Sequence, residues 1–349
     1  MDVGCWMLDV GCFLRLGLAE MSTPVPITAW HWIAFITCIL VCLAVDLGVF
    51  HRQAHIVKFK EALIWSIVWF SLAMLFALAL KPLRGKHEAL QFVTGYVIEL
   101  SLSMDNVFVI ALIFTYFGVP REHQHRVLYW GILGALLMRG LMIGVGVALI
   151  ALVDWVLYVF GAFLLYSGVK MLLVKPEIHP EKNRVVQWAR KLYPVAPTFD
   201  GQKFVTLWQG RKALTPLALV LLMIETTDLL FAVDSIPAVF AVTRKPFIVF
   251  TSNVFAILGL RSLYFLLAGA IGYFRYLKYG LPLVLVFMGT EMLLDPHDRP
   301  PRWFQVDIPT SVSLLVVAGV LLISIVLSVF AAHRERERAP TKTTTDEHK

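Results

Sequence analysis

Glu99-Leu-Ser-Leu-Ser-Met-Asp105-Asn106 and Asp228-Leu-Leu-Phe-Ala-Val-Asp234-Ser235 decide the fold of this chain. Each places two acids six residues apart inside otherwise apolar text, with a small polar residue directly after the second. Downstream of each, Ile-Leu-Gly recurs, at Ile132-Leu-Gly134 and Ile257-Leu-Gly259, and an arginine follows, Arg139 or Arg261. Further on, 164–173 and 285–294 share five identities in ten positions, including a glycine and the closing Met-Leu-Leu. Landmarks in the same order at similar spacing mark an internal repeat.

The text around these landmarks is membrane text. The chain has 349 residues, 58% of them apolar and 16% charged, with a mean hydropathy of +0.74. Soluble domains run near ~45–50% apolar and ~25% charged. Runs of about 20 apolar residues give nine candidate spans: 27–50, 62–80, 89–117, 127–150, 155–174, 214–242, 247–273, 279–294 and 308–332. The expected fold is therefore all-α and polytopic. Each repeat (89–174 and 214–294) holds three spans, and an odd number inverts the second copy. A three-plus-three inverted core is characteristic of secondary transporters, whose site lies at the repeat interface near the midplane.

Orientation follows from the basic residues. The connector 175–213 is the long polar stretch, rich in Lys and Arg, with a surface helix expected around 180–192. Placing it in the cytoplasm puts 21 of the 31 Lys and Arg on that side, eight outside and two in the membrane. This favours an extracytoplasmic 1–26 segment, a cytoplasmic tail over 333–349 read as disordered, and residence in the cytoplasmic membrane. Lys81, Arg84 and Lys86 fall outside, against the trend. The charge reports topology, not nucleic-acid binding.

Six carboxylates lie at membrane depth: Asp46, Glu99, Asp105, Glu225, Asp228 and Asp234, against Arg139 and Arg261. Each ionised group near the bilayer centre costs roughly 2.5–3.5 kcal/mol, so the surplus calls for protons or a metal cation. Glu99, Ser103 and Asn106 share one face of the third span, and Asp228, Ala232 and Ser235 one face of the sixth. The expected ligand set is Glu99, Asp105, Asn106, Glu225, Asp228 and Asp234. Asp46, Ser235 and Asn253 are candidates for a metal or proton relay, and Thr226 and Thr227 lie nearby. Pro237 removes a backbone donor just beyond Asp234, and both acid-bearing helices are expected to bend or unwind to gather the oxygens. Oxygen ligands suit Mg²⁺, Ca²⁺ and Mn²⁺. Carboxylates crowded in a dry site hold protons when no cation balances them, and a divalent ion expels those protons. That competition is a basis for cation/proton exchange.

Other polar residues carry blander readings. Arg139 and Arg261 are expected behind the ligand set, pairing with acids and holding helices together. Glu291 and Lys170 read as boundary residues, and His31, His51 and His55 as solvated. Cys38 and Cys42, one helical turn apart, read as small apolar side chains. No nucleophile–base set is visible, so an enzyme is not expected, and no permanently bound cofactor is implied.

The stretches quoted above, with Phe160-Gly-Ala-Phe-Leu-Leu-Tyr-Ser-Gly-Val-Lys170, Glu225-Thr-Thr-Asp-Leu-Leu-Phe-Ala-Val-Asp-Ser-Ile-Pro-Ala238 and Phe247-Ile-Val-Phe-Thr-Ser-Asn-Val-Phe-Ala-Ile-Leu-Gly-Leu-Arg261, resemble the TerC family. The resemblance runs from about Trp32 to Phe330 and is strongest to the Alx branch, grouped with the LysE-type transporter superfamily. It implies an integral membrane protein of manganese efflux, with Mn²⁺ as cargo, the six acids and Asn106 as its site, and a link to tellurium resistance. Glu291 departs from the family pattern, where lysine is expected. Plastid relatives imply an alternative: a membrane-protein assembly or insertion factor, or a stress-response factor, without transport.

Overall fold

A computed structural model describes residues 27–48, 59–153, 155–173, 183–268, 276–295, 305–306 and 308–338. The predicted 1–26 segment, 175–182 of the connector, His51, His55 and the 339–349 tail lie outside them. Where the backbone crosses apolar surroundings its N–H and C=O groups must bond within the segment, which makes helix the expected element. Each predicted span falls on one: α1 (Ala29–Gly48), α2 (Phe59–Arg84), α3 (Lys86–Phe117), α4 (Arg121–Leu152), α5 (Val156–Leu173), α7 (Pro216–Val242), α8 (Pro246–Ala268), α9 (Leu277–Leu294) and α10 (Thr310–Arg338). Among the described residues seven are long and apolar enough to cross a membrane, and 29–44 and 279–294 form shorter apolar helices. The connector supplies α6 (Arg184–Leu192) and a hairpin of β1 (Val205–Trp208) and β2 (Arg211–Leu214).

Local chemistry sets the breaks. The α3–α4 corner is Gly118, left-handed at φ 60°, whose N–H closes on the carbonyls of Phe114 and Thr115. A side chain at that φ meets the following carbonyl, so glycine ends the helix there. Pro120 precedes the first turn of α4. Asn183 caps α6 by accepting from the N–H groups of Val185 and Val186. In the hairpin, Gln209 and Gly210 both take positive φ, the two-residue turn that matches strand twist.

Two expectations need correcting. Of the bend or unwinding expected in α3 and α7, the unwinding does not occur: both are helical without interruption, Pro237 included. The convergence of side chains from four helices gathers the polar groups, so no backbone break is needed. The tail expected to be disordered from 333 continues α10 to Arg338, as the Arg-Glu repeat, built from good helix formers, favours.

α3 lies in the middle of the bundle, packed along α7 and α8, with α4 against α7 and α8. At 32 residues each, α3 and α4 reach about 48 Å, beyond the ~30 Å hydrocarbon core. Their adjoining ends carry an apolar cluster (Val107, Ile110, Phe114, Val127, Leu128) that also takes Val186 and Ala189 of α6 and Leu217, Val220 and Ile224 of α7. This cluster closes the polar centre from the connector side.

The α5–α9 contact carries the imprint of the repeat. A Cβ on Gly168 would lie 2.9 Å from the Pro282 carbonyl oxygen, and one on Gly289 would lie 2.8 Å from that of Gly161. Gly168 matches Gly289 in the repeat, and Gly161 matches Pro282. The contact is thus reciprocal between the matched positions. Only glycine permits backbones to approach this closely.

Candidate cation site

Glu99 and Asn106 stand seven residues apart on α3, so they share a face and differ in depth by about 10 Å. Asp228 and Ser235 do the same on α7. The Asn106 amide donates to Asp228 Oδ1 at 2.6 Å, and the Ser235 hydroxyl bonds Glu99. In the repeat Glu99 matches Asp228, and Asn106 matches Ser235. Each acid therefore meets the small polar residue of the opposite motif, a second reciprocal contact.

Arg139 of α4 joins the two acids. Its guanidinium donates to Glu99 Oε2 at 2.5 Å and to Asp228 Oδ1 at 3.2 Å, with longer contacts to Ser235 at 3.5 Å and Asn253 Oδ1 at 3.4 Å. Asn253 of α8 donates to Glu99 Oε1 at 2.5 Å. Relative exposure is 0% for Glu99, 1% for Asn106 and Asn253, 3% for Arg139 and 4% for Asp228. At that burial two carboxylates face one guanidinium, a formal surplus of one negative charge.

The two acids are unequally satisfied. Glu99 accepts from Arg139, Asn253 and Ser235. Asp228 Oδ2 and Asn106 Oδ1 are buried acceptors with no donor, and Arg139 Nε is a buried donor with no acceptor. Sequence explains the asymmetry. The Ile-Leu-Gly landmarks align Asn253 with Leu128, and Leu128 is buried but has no donor to offer. Unmet acceptors cost about 1–3 kcal/mol each, so a cation beside Asp228 and Asn106 is the natural complement.

The other sequence-derived residues divide. Ser235 and Asn253, expected as relay candidates, belong to the central cluster, and Arg139, expected behind the ligand set, is its hub. Arg261 is buried in α8. Asp105, Glu225 and Asp234 are half-buried and lie outside those bonds. Glu225 presses against Gly134 of α4, and Asp234 accepts from Ser167 of α5 at 2.9 Å. The six-residue offset turns Asp105 and Asp234 away from the faces of Glu99 and Asp228, and uninterrupted helices keep them there. Among the described residues no three acids, His or Cys converge with metal-ligand geometry. Asp46 falls on α1, but its side chain lies outside the described residues. Glu291, expected at a boundary, is buried and accepts from Ser313 of α10.

Sequence reasoning passed over Ser167 and the Asn183 cap, whose amide donates to Thr226, next to Glu225, at 3.3 Å. The signal for Ser167 was present: a polar residue in an apolar helix, one turn before Lys170.

The TerC model, described as "Integral membrane protein TerC family", matches residues 84–336. "Uncharacterized membrane protein STKORF319" of Myxococcus xanthus is 51% identical over 311 residues, covering 89% of this chain and 94% of that protein. The Escherichia coli (strain K12) protein named "Putative membrane-bound redox modulator Alx" is 45% identical over 313 residues, covering 87% and 95%. An "Uncharacterized membrane protein" of Rickettsia bellii is 38% identical over 299 residues, covering 85% and 96%. No solved structure matches. With its buried polar centre inside an apolar helical bundle, the chain is a multi-pass integral membrane protein and belongs to the TerC family.

Proposed function

We propose that the protein exports a divalent metal cation, Mn²⁺, across the cytoplasmic membrane in exchange for protons, using the Glu99–Arg139–Asp228 centre. The observation that carries this reading is the pair of donor-less acceptors, Asp228 Oδ2 and Asn106 Oδ1, in a buried cluster with more carboxylate than cation. Oxygen donors of this kind suit Mn²⁺, Mg²⁺ and Ca²⁺, and the choice of Mn²⁺ rests on family resemblance.

Each residue has a distinct task. Arg139 is a tethered counter-cation that keeps both acids charged in a low-dielectric site. Asp228 and Asn106 present the oxygens that receive the ion, while Glu99, fully bonded, anchors the guanidinium. A divalent ion arriving at the charged Asp228 repels the guanidinium, and on its release proton uptake by the carboxylates balances the site in its place. Asp105 and Glu225 lie on the connector side of the centre and Asp234 on the opposite side, so they serve as staging carboxylates for entry and exit. With the connector in the cytoplasm, the path runs from Asp105 and Glu225 to Asp234, with the amino terminus outside and the carboxyl terminus inside.

The test is cellular manganese content under a Mn²⁺ load, in cells lacking the protein and in cells carrying wild type or Asp228→Asn. Export demands that wild type lower the content and that the variant, present at equal abundance, fail to do so. An assembly factor acting through partners gives equal manganese in all three.

A further inference from the structure

A groove of about 410 Å³ lies between α1, α2 and α8, outside the polar centre. Its floor is aromatic, formed by Phe35, Phe76, Phe247 and Phe255. Phe35 meets Phe76 at 5.7 Å and Phe255 at 6.0 Å between ring centres, and these rings hold α1 off its neighbours. Beside them the facing side chains are small: Ala34, Cys38 and Cys42 on α1, opposite Ala79 on α2. Bulky rings acting as spacers next to small side chains leave a slot where lipid-facing helices ordinarily close on one another.

The slot has two unlike ends. From Leu72 to Arg84 it follows α2 for about 18 Å, close to the ~15 Å of one leaflet's hydrocarbon. The deep end is apolar throughout. The outer end carries His31 and Arg84. Arg84 donates to Glu88 at 2.7 Å, and Lys245 donates to the same carboxylate at 2.6 Å, so two cations meet one buried acid beside the mouth. Arg84 is among the basic residues that fell on the outside against the positive-inside trend, and a bound anion gives it a reason to be there.

We propose that this groove binds one anionic phospholipid, with an acyl chain along the aromatic floor and its phosphate at Arg84 and His31. Length, apolar lining and a cationic mouth at headgroup level match such a lipid in a single leaflet. The site is independent of the cation centre, and its test does not involve transport.

The full chain is purified in detergent with equal phosphatidylglycerol and phosphatidylcholine of the same acyl chains, and retained lipid is read by native mass spectrometry. Wild type is expected to keep one phospholipid and to favour the anionic one about fivefold, the ratio that one interfacial cation supplies. Arg84→Gln brings that ratio to about one. Ala79→Trp, which fills the slot from an exposed position, loses the retained lipid, whereas Leu78→Trp, on the neighbouring lipid-facing position outside the groove, keeps it. Equal retention of both lipids by wild type overturns the proposal. So does Ala79→Trp retaining lipid as Leu78→Trp does, or a lipid-free dimer closed over this face.

Discussion

Removing Arg139 and neutralising Asp228 should have unequal consequences for the fold, although both lie in the same cluster. Arg139→Leu leaves Glu99 and Asp228 buried without a counter-charge. Breaking a buried pair by deleting one partner costs about 3–5 kcal/mol, and here two acids lose the same partner. Asp228→Asn removes the surplus negative charge and leaves a one-to-one pair between Arg139 and Glu99. It also replaces a donor-less oxygen, so its cost should stay within about 1 kcal/mol. In the double variant Glu99 alone lacks a partner, and it can take up a proton. The two changes should therefore couple, the double variant recovering about 2–3 kcal/mol of the loss, as contacting charges do. The assay is unfolding of the purified protein in one detergent at fixed pH, for wild type, both single variants and the double. If Arg139→Leu is as stable as wild type, or Asp228→Asn loses as much as Arg139→Leu, the reading of a cluster short of positive charge is refuted.

Gly289→Ala and Gly168→Ala should each loosen the α5–α9 contact by about 1–3 kcal/mol, since the added methyl meets backbone that cannot move alone. Comparable losses at the two sites, measured as thermal unfolding in detergent, are the signature of a reciprocal interface, and a large loss at only one site counts against it. Cys38→Ser with Cys42→Ser should leave manganese tolerance unchanged, and sensitivity equal to that of cells lacking the protein would point to thiol chemistry. The hydroxyl of Thr206 and the ammonium of Lys203 hold the Asp200 carboxyl below the usual carboxylate range. Its folded value lies under its unfolded one, so its contribution is complete above about pH 4 and is lost as pH falls through the folded value. Protection from hydrogen exchange in 200–206, taken relative to the intrinsic rate at each pH, should then fall on acidification in wild type, with a flatter response in Asp200→Asn.

The sequence made much of this legible because charge in apolar text is conspicuous. The motifs at 99–106 and 228–235 located α3 and α7, and the faces assigned to Glu99 with Asn106, and to Asp228 with Ser235, are those that meet. The central place of Arg139 was harder to see. It sits on a third helix, and nothing in linear spacing tells that its side chain bridges Glu99 and Asp228. The expected breaks in α3 and α7 came from asking one pair of helices to aim all the acids at one point. With α4 and α8 contributing Arg139 and Asn253, no break is required. The hairpin carried a visible signal in Val205-Thr206 and Gln209-Gly210, hidden by the basic, aromatic composition of the connector. The donor missing beside Asp228 is legible only when Leu128 is set against Asn253, which needs both the repeat and the fold.

The account stands on a buried oxygen site that trades a divalent ion for protons. It is tested most directly by Mn²⁺ flux and internal pH followed together in proteoliposomes of the purified protein, wild type and Asp228→Asn. The expected result is Mn²⁺ movement that is accelerated by an opposing proton gradient, moves protons the other way, and disappears in the variant. Flux indifferent to the gradient, or undiminished in Asp228→Asn, contradicts it.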